Sequence, residues 1–570
     1  MDTEMHFPNP VMRNDLPVKR NPWPRAIAAL VVIGALGIAL LPQILHTRIG
    51  NKFARLYIES KFPDSEVSLG EFRTSWFGPT TLTRFFIASG DGRVIGCKSF
   101  TSDISLLRLL RGHYRLGRTT IDGLYLDYTL DYGDGTDSLS RLFPGLLPNP
   151  NGAAFTAITE PRLSADALTV TDGTINLYRC HVDPDSLATV YQSCRIANIE
   201  GTINFPSLDA PCSCDLAGTV GAGEAQTGTV HSTGSFTVGQ AGQITPKTIK
   251  IDLIVAGENW PTATVAPVLF RRWQPSDFQE AIGVTADSVK IPIVADNGEV
   301  RIAPLSVKSA LADISVPLVY DMNSVPRRWK LGEGPNTLGM GLARSLARTA
   351  LVQAVPLLSE ATGEGHLQLH LDSFSIPLEK AFSREESVRG QMQLNNAKLD
   401  PSRPALSGGA ATNLTRQIMS LIGTTPNAQA KPVLHAPDVK FDLHDGQLNV
   451  EPSPITVGST GMSLSGSNII GGPLQMVLTF SDLPTLRAAV PGITIKMLTI
   501  PLTGTIREPR LDLDAIKEAM PAAMAKKMED FISDQIAAMR IKEVERVNRQ
   551  QDAEVDKLLS PFEGRPATQP

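Results

Sequence analysis

The chain has 570 residues, a formal net charge of −5, and 46 Gly and 42 Pro beside only 6% aromatic residues. That is too long for one ordinary domain unless the architecture is extended, and the Gly and Pro content suits a turn-rich β protein. The acidic balance, with no basic stripe interleaved with aromatics, speaks against nucleic acid as a partner.

Residues 1–25, with Pro8, Pro10, Pro17, Pro22 and Pro24, read as a disordered tail. Residues 26–45 (AIAALVVIGALGIALLPQIL) carry no formal charge. A helix of that length spans roughly 30 Å, the hydrocarbon thickness of a bilayer. Its anchoring surface would be Ala26, Leu30, Val31, Ile33, Leu36, Ile38, Leu41 and Leu45. Arg13, Lys19, Arg20 and Arg25 crowd the entrance beside Trp23, so the N-terminus is expected to be cytoplasmic and the long remainder translocated. A cleaved signal peptide is the competing reading, but the run is long for one and no clear A-x-A site follows.

Residues 51–62 (NKFARLYIESKF) then read as a short amphipathic helix stopped by Pro63. From Glu66 the period changes to two: Leu124, Leu126, Tyr128 and Leu130 alternate with Tyr125, Asp127, Thr129 and Asp131. The same alternation recurs at 249–253, 289–293, 367–371, 439–443 and 511–513. Asp91-Gly92, Asp172-Gly173, Asn297-Gly298 and Asp445-Gly446 fall between such runs and predict hairpin turns with positive φ. Three units, 165–178, 286–302 and 436–450, look like copies of one strand–turn–strand hairpin at irregular spacing.

Helices are expected over 102–111, 267–282, 338–359, 411–422, 483–490 and 521–559. The last alternates charge sign along its length and fits either a coiled arm for a protein partner or a lid on the sheet. The tail 561–570 reads as disordered. The cysteines are odd in number, at 97, 180, 194, 212 and 214. In an oxidising compartment Cys180 and Cys194 could staple the loop between them; Cys212-Ser213-Cys214 lacks a partner pair for a metal site. No phosphate-binding loop, zinc-protease motif, calcium loop or nucleophile elbow occurs. His366 and His370 read as solvent-facing residues of a strand. An enzyme is not expected, nor a cofactor.

On the order of 25–30 two-faced strands leave one whole apolar face to be removed from water. Two sheets packed as a sandwich would do this. So would one long curled sheet whose apolar face lines a groove filled by apolar ligand. Periodicity does not choose between them.

Two stretches carry a family resemblance. Residues 67–79 (VSLGEFRTSWFGP), Gly90-Asp91-Gly92, 102–110 and Ile121-Asp-Gly-Leu124 resemble the amino-terminal module of bacterial AsmA-like proteins. Residues 439–450, 466–478, Asp482-Leu-Pro484 and 500–513 (IPLTGTIREPRLDL) resemble that family's C-terminal region. The resemblance implies the groove: a mainly β, taco-shaped antiparallel sheet behind one transmembrane helix. It implies an amino-terminal module over 46–150, a central region over 151–430, a C-terminal module over 431–515 and a helix over 516–560. It further implies a single-pass protein of the bacterial inner membrane whose periplasmic bulk shields phospholipid acyl chains. Val439, Phe441, Leu443, Ile500 and Leu502 are the expected groove lining. The alternative is a non-catalytic envelope scaffold or outer-membrane assembly factor working through a protein partner at the C-terminal helix.

Overall fold

A computed structural model describes residues 40–60, 65–89, 92–111, 115–131, 165–182, 189–206, 210–221, 227–237, 248–264, 275–343, 351–377, 386–400, 414–422, 431–469, 472–481, 497–505 and 508–512, with a few positions beyond. Within them the chain is mainly β, one sheet of 24 strands with few helices.

The first strands are β1 (Glu66–Ser68), β2 (Glu71–Arg73), β3 (Thr80–Ser89), β4 (Gly92–Ser102), β5 (Arg118–Asp122) and β6 (Tyr125–Asp131). Next come β7 (Ala165–Val182), β8 (Thr189–Phe205), β9 (Cys212–Gly221), β10 (Thr227–Thr237), β11 (Lys250–Pro261), β12 (Thr285–Asp296), β13 (Glu299–Lys308) and β14 (Asp313–Asp321). The last are β15 (Arg328–Leu331), β16 (Thr337–Gly341), β17 (His366–Pro377), β18 (Ser387–Lys398), β19 (Val433–His444), β20 (Gln447–Val457), β21 (Thr460–Ile469), β22 (Leu474–Phe480), β23 (Leu498–Thr505) and β24 (Glu508–Leu511). They meander in chain order. Three pairs share a row each: β1 and β2 against β3, β5 and β6 against β4, β15 and β16 against β14. At about 4.8 Å per row the contour is roughly 100 Å. The pairing is antiparallel except that β5 and β6 run parallel to β7, a step that requires a long crossover. The sheet continues unbroken across residues 150 and 430.

The helices are α1 (Leu41–Leu45), α2 (Arg48–Glu59), α3 (Leu106–Leu110), α4 (Pro275–Ile282), α5 (Leu351–Ala354) with a 3-10 turn at Pro356–Glu360, and α6 (Leu414–Ile422). No helix among the described residues is long and apolar enough to cross a membrane. Most of the predicted span, 26–39, lies outside them, as do the helix at 483–490 and both tails.

Three expectations are corrected. The helix over 338–359 is not continuous: Thr337–Gly341 is strand β16, and Pro356, which has no amide N–H, opens a separate 3-10 turn. Asp172-Gly173 is no hairpin turn. Strand β7 runs straight through it as a bulge, with Asp172 at φ +49° and the register shifting on either side of Gly173. Cys180 and Cys194 form no staple. Cys194 is a free buried thiol facing Leu177, while Cys180 stands opposite Tyr191, three positions along the ladder. By contrast Asn297-Gly298 and Asp445-Gly446 are tight turns with positive φ at both residues.

Candidate functional site

The sheet has one apolar face, and the register carries it from strand to strand. Directly opposed residues of paired strands share a side. Leu168, Ile203, Cys214, Gly234, Leu253, Ile293, Ile302 and Leu318 form one such file across β7–β14. Val170, Gly201, Leu216, Ser232, Val255 and Ile291 form the next. The opposite side of the same strands is mostly polar and exposed, with Thr202, Asn204, Ser213, Asp215, Lys250, Asp252, Ser288 and Lys290, although Ile254 and Val294 also lie there in water.

What differs along the sheet is the cover. From β16 to β24 the apolar face is sealed into one continuous core, which Ala281 and Ala312 join at its border. Helix α6 is buried along its whole length there, and α5 with its 3-10 turn adds Val352, Ala354, Leu357 and Leu358. Three buried polar side chains stitch this cover down. Glu360 accepts from the amides of Leu414 (2.7 Å) and Thr415 (3.0 Å) at the start of α6, where a helix lacks internal acceptors. Gln417 on α6 accepts from the Leu511 amide of edge strand β24 at 2.7 Å. Asn468 on β21 donates to the Gln353 carbonyl of α5 at 2.8 Å. Burial pushes the Glu360 carboxyl up from its ordinary range, against the lowering pull of those amides.

At the other end α2 lays Ile58 on a small cluster of Val67, Ile87 and Val94. Between the two cores, over β7–β13, the inward residues Leu168, Ile203, Leu216, Leu253, Val255, Ile291, Ile293 and Ile302 remain half-buried. This open stretch, β7 to β13, is seven rows or roughly 30 Å along the sheet. A small residue on it lets neighbouring backbones approach closely. At Gly234 (φ +146°) a Cβ would stand 2.0 Å from the Asp252 carbonyl oxygen, so only glycine fits. Register shifts at Val170/Gly173, Ala197/Glu200 and Ile302/Leu305 add local twist.

The five residues expected to line a groove lie on this same face but in its sealed part. Val439 and Ile500 are 0% exposed, and Phe441, Leu443 and Leu502 are buried with them. The cover, supplied by segments distant in sequence, takes them out of reach of a ligand. Half-exposed residues such as Leu253 and Ile291 hold the accessible positions instead. Two of them end or lie within runs whose alternation was legible, 249–253 and 289–293; what the sequence lacked was any sign of which runs stay uncovered.

No group of His, Cys, Asp or Glu that could hold a metal occurs among the described residues. Burial, for Cys97 together with the charge of Asp122, pushes the Cys97 and Cys194 thiols up to about 11, so neither is an activated nucleophile at neutral pH. His366 and His370 share one face of β17, His366 half-buried and His370 exposed to solvent, with His370 Nδ1 3.0 Å from the Asn336 carbonyl oxygen. Comparison with known proteins gives no match to a family model, a curated protein or a solved structure.

Proposed function

We propose that this chain is a membrane-anchored envelope protein of the AsmA-like kind, whose sheet curls into a groove that shields phospholipid acyl chains. It would be held in the bacterial inner membrane by residues 26–45, with the sheet in the periplasm. The observation that carries this reading is the register-linked apolar face over β7–β13, where inward residues such as Leu253, Val255, Ile291 and Ile293 stay only half-buried between two cores while Val170 and Val289 are buried. A long apolar strip left partly in water is the kind of surface that takes an apolar ligand. At roughly 30 Å it exceeds the ~15 Å of acyl layer in one leaflet, so more than one lipid tail fits along it. Branched aliphatic side chains hold such tails without polar specificity. With no nucleotide motif in the sequence, transfer would follow lipid gradients or a partner.

A photo-crosslinking amino acid at Leu253 or Ile291 should capture phospholipid in cells. The same probe at Val439 or Ile500, in the sealed part, or at outward-facing Asp252, should not. Absence of lipid adducts at both open positions sinks the groove reading.

A second reading, a non-catalytic scaffold, draws on the C-terminal segment. Lys526, Asp530, Asp534 and Ile541 are helical and exposed there, and Ile541 is a large apolar side chain left in water. Deleting 521–570 distinguishes the two: loss of a protein partner with lipid adducts retained favours the scaffold.

A further inference from the structure

The first two helices carry an apolar surface that the sheet does not use. Helix α2 packs inward through Gly50, Asn51, Ala54 and Ile58, and the Asn51 Oδ1 accepts from the Phe72 amide of β2 at 2.9 Å. Its other side exposes Ile49 (66%), Phe53 (66%) and Leu56 (49%), spaced i, i+4, i+7 on a single stripe. Between that stripe and the packed side lie Arg48, Lys52 and Arg55. Arg55 pairs with Glu59 at 2.7 Å, whereas Arg48 and Lys52 make no ion pair among the described residues. Helix α1, immediately before, exposes Ile44, and its N-cap Leu40 is exposed as well.

The pieces are fixed to one another. A Cβ at Gly50 would stand 2.4 Å from the Ile44 carbonyl oxygen, so glycine allows the close α1–α2 corner. The Thr47 hydroxyl caps α2 by accepting from the Gly50 amide. His46 Nε2 lies 2.8 Å from the Thr74 amide and thereby holds the corner against the loop that displays Phe77, which is 86% exposed.

We infer that α1 and α2 form a foot that lies in the headgroup region of a lipid bilayer, with Ile49, Phe53 and Leu56 inserted and Arg48 and Lys52 turned to anionic headgroups. Two observations select a bilayer as occupant. The uncharged apolar run 26–45 leads directly into this corner, its last five residues being α1 itself. The stripe is also flanked by cations, the arrangement by which an amphipathic helix rests in a membrane interface. Because α2 also covers the first rows of the sheet, the foot would set the open apolar face at a fixed height and tilt above the bilayer. The inference rests on the anchoring half of the function proposed above and is independent of what the apolar face binds.

The test uses the full chain reconstituted in vesicles of equal phosphatidylcholine and phosphatidylglycerol, with an environment-sensitive fluorescent amino acid replacing single residues. At 49, 53 and 56 the emission should shift to the blue and be quenched by lipids brominated on their acyl chains. At 51, on the packed side, bromolipid should leave it unchanged. A chain that floats with the vesicles while residues 53 and 56 stay unquenched overturns the foot and leaves the anchor standing. A chain that does not float overturns both. Neither outcome bears on lipid adducts at Leu253, which report on the groove alone.

Discussion

Glu360 sits where a single proton has structural consequences. Its carboxylate, buried under the cover of the sealed core, takes the two first amides of a helix 54 residues away. Burial raises its folded-state pKa above the unfolded value. An acid raised in this way binds more protons folded than unfolded. Its stabilising contribution is therefore complete below about pH 4.3 and is lost as the pH rises through the folded value. Urea unfolding of the purified chain should show stability falling over that window, and Glu360→Gln should flatten this part of the profile. The glutamine keeps one acceptor and turns an amide donor toward the second N–H, at a cost of about 1–3 kcal/mol at acid pH. An unchanged pH profile in the variant would remove Glu360 from the account. Cys194 offers a second check. With its thiol buried and pushed up to about 11, it should resist alkylation at neutral pH until the chain unfolds. Peptide mapping without reductant should show no Cys180–Cys194 linkage.

At the scale of elements, the cover decides what alternation cannot. Period-two patterning identified the inward face correctly at Val439, Phe441 and Leu443, because strand geometry alone puts those residues on one side. It could not say that α5, its 3-10 turn and α6 would close one core with them, since those contacts are tertiary. The Asx-Gly dipeptides show the same limit. Asn297-Gly298, Asp445-Gly446 and Asp172-Gly173 all supply positive φ, but only the first two close hairpins. The third kinks a continuous strand, and a local signal for positive φ serves both uses. The run at 338–359 reads as one helix from its apolar spacing, yet its first residues pair as strand β16, because a few apolar residues at a segment's end fit either period. If α6 is the seal, then Ile418→Ala, at a fully buried position, should cost about 2–5 kcal/mol. Amide exchange should rise first in β22–β24, whose edge α6 holds through Gln417. Exchange rising uniformly across all strands would assign α6 no special part.

For the molecule as a whole, one continuous sheet is divided by its cover into a part that stabilises and a part that is left available. Hydrogen bonds run without interruption from β1 to β24, so the division does not come from the backbone. It comes from apolar area. A leucine in the sealed part, such as Leu478, surrenders all its surface on folding and sits among close neighbours, so Leu478→Ala should cost about 2–5 kcal/mol. Leu253 keeps part of its surface in water, and Leu253→Ala should cost about 1 kcal/mol or less. If lipid fills the open face, that ranking depends on what is bound. Added phospholipid raises the stability of the native chain by mass action, and Leu253→Ala would lose part of that gain while Leu478→Ala would not. The measurement is a pair of unfolding curves for each variant, with and without lipid in detergent. Equal costs at the two leucines in the absence of lipid would mean that the open face is covered after all. Unequal costs with no lipid-dependent change would keep the division of the sheet and remove the ligand.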